Sequence, residues 1–577
     1  MLKIINHFFK FCQKDNKIRF YKSIVLTFFE SLFNALKIVS IYIFISGALM
    51  HKDMGKVALI TLTIMLFSII ASYIVRYFSM MLQTKGGYDT CARKRMEIAE
   101  HLRYVPMGYY NENSIGQVLS VTTNTMQFLE NLATRVIMLV SSSFLSTVVV
   151  TIMILIFDYR IGLILTIGLF LFGLVTSLLM KKSDKISQLK YDSDENLISL
   201  ILEYIEGINE VKSYKLVGKK CKTFNDANDN AAKINFKMET SFIPYIGLQS
   251  LVVKLSGVLM IFLSVIFYLN GTMLLQDTLI MIISSFIIYA TLENASSFTA
   301  LLRNIETCIT KGEEILKTPQ MKLDGDKQDP INHDIEVNNI SFSYGKKKII
   351  DNVSFTIPEK STVALVGPSG GGKSTLTKLI ARFFDVDEGS ITLGGKNIKD
   401  YNYDTLMKNF SFVFQDVYLF KDSIANNIRF GCPEASMDEV ISVAKKANCH
   451  DFIMKLPNGY ETIIGDDVNL SGGERQRISI ARAMMKDASI IVLDEATANV
   501  DPENEKDLVE AINELTKDKT IIMIAHRLKT VQHADQILVI EKGQVKDCGT
   551  HNELVNKEGT YKNFINARMK ATSWKIS

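Results

Sequence analysis

Long apolar segments in the first half of the chain limit its possible folds more than any other feature. Six of them are long enough to cross a lipid bilayer, which requires about 20 predominantly apolar residues in a helix. They cover residues 21–47, 57–82, 136–157, 161–181, 242–269 and 278–302. The sequence therefore predicts an all-α domain with six transmembrane helices, and the scarcity of proline, nine among 577 residues, suits long helices.

The charges between these segments predict their orientation. Cytoplasmic loops carry an excess of lysine and arginine. Residues 85–130 and 181–240 are long and rich in both, whereas 158–160 is a tight turn and 270–277 has no basic residue. We therefore expect a multi-pass protein of a cell inner or plasma membrane, with both termini in the cytoplasm.

The leader, residues 1–20, is predicted to be an amphipathic helix on the inner membrane surface. Its apolar residues are interrupted by polar ones, and no cleavage site of small residues follows, which is unlike a signal peptide. The two basic intervals read as helices that extend the spans into the cytoplasm. The turns at their tips, near residues 111–117 and 206–214, are expected to contact a soluble domain.

Polar residues inside the spans are candidates for contact with a transported compound. They are Glu30, Asn34 and Lys37 in the first span, Gln249 and Lys254 in the fifth, and Glu293 in the sixth. The three in the first span share one helix face because they are four and three residues apart. Since charges are costly in a bilayer, such groups either line a water-filled path or pair with one another. A polar cargo cavity and a structural pair between helices both remain open.

The second half of the chain contains a phosphate-binding loop. Residues 367–374, GPSGGGKS, match the pattern G-x-x-x-x-G-K-[ST] between a strand-like and a helix-like run. Glycine N–H groups and the helix N-terminus would surround phosphates, Lys373 would reach the β- and γ-phosphates, and Ser374 would bind Mg²⁺. The predicted ATP-binding residues of this loop are Gly367, Pro368, Ser369, Gly370, Gly371, Gly372, Lys373, Ser374 and Thr375.

A second element of the same chemistry is the apolar run 490–493, which ends in Asp494 and Glu495. A buried parallel strand reads as a continuous apolar run, and ligands bind at the carboxyl ends of such strands. Asp494 is therefore predicted to hold Mg²⁺. Glu495 is predicted to polarise the water that attacks the γ-phosphate.

Together these features predict a multi-domain chain in which an all-α transmembrane domain precedes an α/β P-loop ATPase domain. The predicted parts are the leader 1–20, the transmembrane domain 21–310, a polar linker 311–334 and the ATPase domain 335–577. The net charge of only +4 gives no reason to expect nucleic-acid binding. Seven cysteines without any C-x-x-C pair fit reduced structural thiols rather than a metal or redox site.

Residues 470–476, LSGGERQ, carry a family resemblance. Ser471 and two glycines at a helix start form a second anion cradle. With the phosphate loop upstream and the Asp494 strand downstream, this motif resembles the ATP-binding cassette (ABC) ATPases. The whole chain is similar to an ABC half-transporter of the exporter-type (type IV) fold. The resemblance implies ATP hydrolysis coupled to transport, with ATP and Mg²⁺ as cofactors.

The same resemblance implies roles for further residues. Gln415 matches the glutamine loop that binds Mg²⁺ and contacts the membrane part, and His526 matches the switch histidine. Asp501 matches a dimer-contact aspartate, and Tyr344 an aromatic that stacks on adenine. The motif residues Ser471, Gly472, Gly473 and Glu474 would contact the γ-phosphate bound by a second subunit. A partner half-transporter, the same chain or a related one, is therefore expected.

The direction of transport stays open at this point. Export of a drug, lipid or peptide is the first interpretation. Residues 471–505 also look like bacterial half-transporters that import iron–siderophores as heterodimers, so import is the alternative. A membrane-anchored ATPase without transport is a third hypothesis, which six full spans disfavour.

Overall fold

The structure is a computed structural model that describes residues 2–50, 53–112, 115–215, 222–465, 468–494, 502–525 and 531–573. The chain divides into two compact units. The first runs to Val105 and continues as Tyr110–Thr318, and the second comprises Pro106–Tyr109 and the chain from Pro319 onward. The predicted order, a helical membrane domain followed by an α/β domain, is confirmed.

Helices dominate the first half of the chain. In chain order they are α1 (Leu2–Phe11), α2 (Lys14–Leu49), α3 (Met54–Arg103), α4 (Met107–Glu112), α5 (Ile115–Ser120), α6 (Met126–Phe128), α7 (Thr134–Phe157), α8 (Tyr159–Glu206), α9 (Ile208–Ser213), α10 (Lys222–Leu269) and α11 (Leu275–Lys317). Two π-helical segments, Val121–Thr125 and Leu129–Ala133, lie on either side of α6. The tight turn predicted at 158–160 separates α7 from α8, where the Asp158 side chain accepts a hydrogen bond from the backbone N–H of Arg160.

Within the part of the chain that the structure describes, five helical stretches are long and apolar enough to cross a membrane. They are α2, α3, Val118–Phe157, α8 and α10. Among the described residues, the sixth predicted span contributes the shorter apolar stretch Leu275–Ile288 at the start of α11. Many apolar side chains on these helices are exposed, such as Phe170 and Ile156. This exposure fits a surface that faces lipid rather than water.

Small and polar residues allow α2 and α3 to pack closely. A Cβ at Gly86 would lie 3.1 Å from the Phe20 ring, so a larger residue would require this ring to shift by a few tenths of an ångström. The hydroxyls of Ser23 and Ser79 lie 2.9 Å apart, and the Gln83 amide donates to both. Such pairs stabilise helix contacts inside a bilayer, where apolar burial adds little.

The predicted leader forms helix α1 and the start of α2, and the apolar side of α1 does not face outward. Phe8 and Phe9 are 2% and 3% exposed, and both rings pack near Phe20 at centroid distances of 5.4 and 5.7 Å. They share a core with Ile305 of α11. These side chains are therefore not available to a membrane surface, contrary to the prediction. Hydrophobic periodicity shows that one helix face is buried, but not which surface buries it.

The boundaries of the membrane unit also differ from the predicted ones. Helix α11 continues to Lys317, so the start of the predicted linker, 311–334, is still helical. The tip segment that groups with the second unit is Pro106–Tyr109, just before the predicted contact near 111–117. There the backbone N–H of Met107 donates to the carbonyl of Phe383 at 3.1 Å.

The described residues of the second unit form ten strands in two sheets. The strands are β1 (Ile335–Tyr344), β2 (Lys347–Ile357), β3 (Thr362–Val366), β4 (Glu388–Leu393), β5 (Lys396–Asn397), β6 (Phe410–Val413), β7 (Ile490–Asp494), β8 (Thr520–Ile524), β9 (Gln536–Glu541) and β10 (Gln544–Gly549). One sheet has the order β2-β1-β4-β5 and is antiparallel. The other has the order β10-β9-β3-β8-β7-β6, and its strands are parallel except for β10.

Helices cover the parallel sheet. They are α12 (Lys373–Ile380), α13 (Tyr403–Lys408), α14 (Ile424–Arg429), α15 (Met437–Lys446), α16 (His450–Met454), α17 (Gly472–Lys486), α18 (Pro502–Leu515), α19 (His551–Asn556) and α20 (Thr560–Ser573). Strands β3, β7 and β8 are buried almost throughout, as their continuous apolar sequences predict. This rigid sheet positions the residues that follow its strands.

Six cysteines lie within the described residues, and none of these six forms a disulfide. Cys449 is fully buried, and this burial raises the pKa of its thiol above the ordinary value. A thiol held in its neutral form is unreactive. Cys221 lies outside the described residues.

Candidate nucleotide-binding site

The predicted phosphate loop joins strand β3 to helix α12. Three of its glycines, Gly367, Gly370 and Gly372, have positive φ angles of +150°, +76° and +107°. A side chain at Gly367 would lie 2.0 Å from the carbonyl oxygen of Ile540 on the neighbouring strand β9. The loop therefore needs glycine for its backbone conformation and for its contact with the sheet.

Lys373 lies inside this loop. Its side chain is 6% exposed, and its Nζ donates to the carbonyl oxygens of Gly367 and Pro368 at 3.0 and 2.9 Å. These bonds hold the ammonium group within the curve of the loop. The cation is therefore placed where the loop residues could also bind an anion.

The loop and helix fit a phosphate group. The first turn of an α-helix has backbone N–H groups without partners in the helix, and α12 has no side-chain cap at Gly372. Ser374 is exposed, and Thr375 is half-buried on the following turn. Open N–H groups, a helix dipole and a buried lysine together make an anion site.

The parallel sheet brings two further predicted residues to the same edge. Strands β3, β8, β7 and β6 are adjacent and parallel, so their carboxyl ends meet. Asp494 ends β7 in register with Ile524 of β8, which is also paired with Leu365 of β3. Two strand spacings of about 4.8 Å thus separate the Asp494 backbone from the strand that leads into the phosphate loop. Gln415 follows β6 by two residues and is exposed.

Oxygen ligands suited to Mg²⁺ are therefore present at this edge. Ser374, Gln415 and Asp494 supply hydroxyl, amide and carboxylate oxygens, which are the hard ligands that this ion prefers. Among the described residues, no group of three or more His, Cys, Asp or Glu side chains could hold a metal. The residues fit an ion that is bound jointly by the protein and phosphates, rather than by a closed protein cage.

The Ser471 motif begins helix α17, as the sequence predicted. The Ser471 hydroxyl accepts a hydrogen bond from the backbone N–H of Glu474 at 3.3 Å. The Glu474 carboxylate accepts bonds from the backbone N–H and the hydroxyl of Ser471 at 2.8 and 2.9 Å. Ser471 and Gly472 are exposed at the helix N-terminus, whereas Gly473 is buried. This capped terminus presents N–H groups to solvent, where a second anion could bind.

Tyr344 lies at the end of β1 and is half-buried. Its ring packs edge-on against Phe342 and Phe384 at centroid distances of 5.0 and 5.3 Å. The ring is therefore held in place by other aromatic residues. Its partial exposure leaves the predicted stacking on adenine as a prediction that the structure does not test.

Three predicted site residues, Glu495, Asp501 and His526, lie outside the described residues. Two of them directly continue described segments of the sheet edge. Glu495 follows Asp494 at the end of β7, and His526 follows Ala525, whose backbone N–H donates to the carbonyl of Leu365 at 3.3 Å. Their roles remain predictions from the sequence.

The polar residues of the membrane unit fall into different environments. Gln249 is fully buried and donates to the Thr176 hydroxyl at 2.7 Å, so it joins two helices rather than lining a cavity. Lys37 donates to the Asn34 side chain at 2.7 Å. Lys254 is exposed, and the side chain of Glu293 lies outside the described residues.

Sequence reasoning overlooked one charge of this region, Arg76. It lies in α3 within the predicted span 57–82, is exposed, and interacts electrostatically with Glu30 together with Lys37. An arginine inside a predicted span was a signal that the sequence already contained. The polar face of the first span is therefore part of a charged cluster that includes a neighbouring helix.

Comparisons with known proteins agree with this geometry. Residues 350–498 match the family model described as "ABC transporter", and residues 20–291 match the one described as "ABC transporter transmembrane region". An ATP-dependent lipid A-core flippase of Haemophilus influenzae is 32% identical over 92% of both chains. Bacillus subtilis YgaD, whose name assigns it to multidrug export, is 31% identical over 85% of both chains.

A solved structure gives the same result for the fold. The structure of a bacterial Atm1-family ABC exporter with ATP bound is similar to this chain with a TM-score of 0.87. The match covers 97% of this chain and 99% of the other one, at 22% sequence identity. At this identity the likeness concerns the fold alone.

Proposed function

The chain belongs to the ABC transporter family, and from this premise we propose that it is one half of a dimeric exporter that moves an amphipathic lipid or drug. As a member of this family it is an ATPase whose hydrolysis is coupled to transport across the membrane. One observation carries the proposal. A phosphate loop with Gln415 and Asp494 at the same sheet edge lies in one chain with five membrane-length helices.

The residues of the sheet edge have distinct proposed roles. Lys373 and the N–H groups of α12 bind the β- and γ-phosphates of ATP, and Tyr344 stacks on its adenine. Ser374, Gln415 and Asp494 would hold Mg²⁺. Such an ion would supply positive charge that offsets the negative charge developing on the phosphates during transfer.

Hydrolysis itself is assigned to residues that follow the strands. Glu495 accepts a proton from the water that attacks the γ-phosphate, and His526 contacts the same phosphate from the next strand. This assignment rests on sequence position, because both residues lie outside the described part of the chain. A group at the carboxyl end of a parallel strand can reach a ligand held by the neighbouring phosphate loop.

Two copies, or two related half-transporters, are proposed to close on ATP. The Ser471 motif of one subunit would meet the nucleotide held by the other, and Asp501 would contact the partner subunit. Exposed N–H groups at the start of α17 suit a phosphate that arrives from outside the subunit. Binding of ATP then draws the ATP-binding units of the two subunits together, and hydrolysis of ATP releases them from each other.

Export is preferred over import because of the relatives. The lipid A-core flippase and YgaD are named for moving lipid and for multidrug export, and both align over most of this chain. The alternative of iron–siderophore import rested on a likeness of motor motifs, which these comparisons do not support. The match of residues 20–291 to a transporter membrane region likewise disfavours an ATPase without transport.

Reconstitution in liposomes tests the proposal. Purified protein would be inserted so that its ATP-binding units face the outside of the vesicles. Phosphate release would then be measured in the presence of a series of lipids and drugs. An exporter is expected to hydrolyse ATP faster with its cargo and to move a labelled cargo into the vesicle lumen or its inner leaflet. The Lys373→Ala variant is the control for both signals. Cargo movement in the opposite direction would contradict export, and hydrolysis without any cargo movement would contradict transport.

A further inference from the structure

Helix α17 holds the chain on both sides of Gln415. On this helix, the side chain of Gln476 is 5% exposed and donates to the carbonyl oxygen of Phe414 at 3.3 Å. Six residues further along the helix, Arg482 donates to the carbonyl oxygen of Tyr418 at 3.2 Å. Gln415 therefore lies in a short segment whose two ends are bonded to a single helix.

A fully buried amide extends this attachment. The Asn427 side chain of α14 accepts the backbone N–H of Phe420 at 2.9 Å and donates to the Phe420 carbonyl at 3.0 Å. Arg482 donates to the backbone carbonyl of Asn427 at 3.0 Å and to its side-chain oxygen at 3.1 Å. The guanidinium group thus joins α17, α14 and the segment after Gln415, and its planar fork suits these several acceptors.

The same helix starts with the Ser471 motif. Helix α17 spans Gly472–Lys486, 15 residues in all, and it carries the motif in its first turn and Gln476 in its second. A helix moves as a stiff body over this length. Any displacement of the Ser471 motif is therefore passed to Gln476 and Arg482, and from them to the segment that contains Gln415.

We propose that Gln476 and Arg482 are positioning residues that fix Gln415 relative to the Ser471 motif. Movement of the motif onto one nucleotide then places Gln415 at the magnesium site of its own subunit. This inference rests on the proposed function, because it assumes that Gln415 serves the magnesium site. In addition, α17 would link the two nucleotide sites through its hydrogen bonds to main-chain carbonyl groups on either side of Gln415.

The test uses the full-length protein in lipid nanodiscs and the variants Gln476→Leu and Arg482→Lys. Leucine lacks a donor, and lysine cannot reproduce the fork of arginine. The affinity for Mn²⁺ in the presence of a non-hydrolysable ATP analogue, measured by electron paramagnetic resonance, is expected to fall about tenfold in each variant. The affinity for the analogue without metal is expected to stay unchanged. The two variants alter opposite ends of the segment, so either one that folds provides the test.

Arg429→Lys is the matched control. Arg429 of α14 also donates to a backbone carbonyl, that of Ala435 at 3.0 Å, but not on the segment that contains Gln415. This variant loses a similar guanidinium contact and is expected to keep the wild-type affinity for Mn²⁺. An equal loss in Arg429→Lys and Arg482→Lys would overturn the proposal in favour of general destabilisation.

A double-mutant cycle with Gln415→Ala separates positioning from a direct effect. If Gln476 acts through Gln415, Gln476→Leu lowers the affinity for Mn²⁺ no further once Gln415 has been replaced. Additive losses, or wild-type affinity in both single variants, would overturn the inference. A wild-type protein that binds no nucleotide would instead contradict the proposed function, so the two failures are distinguishable.

Discussion

Lys373 shows how a single residue prepares the phosphate loop for its ligand. An ammonium group that is only 6% exposed requires partners, and the carbonyl oxygens of Gly367 and Pro368 provide them at 3.0 and 2.9 Å. Phosphate oxygens carry full negative charge, so they are better partners than neutral carbonyls. Binding of a phosphate therefore gives the Lys373 ammonium group a stronger partner than the carbonyl oxygens alone provide.

The first prediction concerns this lysine. Lys373→Ala is expected to weaken ATP binding by about tenfold or more, because a hydrogen bond to a charged group contributes about 1.5–3 kcal/mol. Binding of a fluorescent ATP analogue to the purified protein measures the change. Lys378→Ala, on the same helix α12, is the control and is expected to bind normally. Unchanged affinity in Lys373→Ala would contradict the assignment of the loop.

The second prediction concerns Glu495. Glu495→Gln is expected to bind ATP but to hydrolyse it at least about a hundredfold more slowly, because an amide cannot accept the proton of the attacking water. Phosphate release and nucleotide binding measured on the same preparation separate the two effects. The control is Glu514→Gln, which removes a carboxylate of α18 that pairs with Lys517. Near-normal hydrolysis by Glu495→Gln would mean that another group is the base.

At the scale of elements, three described helices of the second unit begin with a capping box, and two of these boxes pair a serine with a glutamate. In α17 the box is formed by Ser471 and Glu474, and in α15 by Ser436 and Glu439. The serine hydroxyl accepts the backbone N–H of the glutamate at 3.3 Å in both. The backbone N–H of Ser436 holds the pKa of Glu439 below its ordinary value. The stability from this contact is therefore present at neutral pH and is lost as the pH falls through that lowered pKa.

The third prediction uses this pair of boxes. Ser471→Ala and Ser436→Ala are each expected to cost about 1 kcal/mol of stability, because each removes an N-cap. Only Ser471→Ala is expected to reduce ATP hydrolysis strongly, since only its helix carries the proposed γ-phosphate contact. Thermal unfolding and phosphate release measure the two effects. If both variants lost hydrolysis equally, Ser471 would be a helix cap and nothing more.

Elements also show what the sequence could and could not predict. The phosphate loop, the Ser471 cap and the strand that ends in Asp494 were predictable because their conformation depends on neighbouring residues. The burial of Phe8 against the protein was not, because an amphipathic pattern does not identify the surface that covers it. The hydrogen bond between Gln249 and Thr176 was also not predictable from the sequence, because it joins residues that are far apart in the chain.

At the scale of the whole molecule, the sequence predicted the second unit in more detail than the first. The second unit was predicted as an α/β domain, because phosphate-loop chemistry permits few arrangements of residues. The first unit was predicted as helices, yet its cargo contacts were not, because polar residues in spans serve both packing and transport. Arg76 and Glu30 remain the ionisable residues to examine there, whereas Gln249 is explained by packing.

One subunit by itself has a phosphate loop and a Ser471 motif, but the proposed site takes one from each of two chains. A two-fold axis would generate two such sites, since each surface then meets the complementary one of its partner. This arrangement has a consequence for mixed dimers, in which the two subunits carry different substitutions. A Lys373→Ala subunit still offers an intact Ser471 motif, and a Ser471→Ala subunit still offers an intact phosphate loop.

The last prediction follows from that arrangement. A mixed dimer of Lys373→Ala and Ser471→Ala subunits, isolated through two different affinity tags, contains one site with both changes and one intact site. It is expected to recover ATP hydrolysis that neither variant shows as a homodimer, and phosphate release measures it. The control pairs Lys373→Ala with a Lys373→Ala, Ser471→Ala double variant, a dimer in which no site is complete. If the first mixed dimer stayed as inactive as this control, each site would be built within one subunit, because only then does mixing leave both sites damaged.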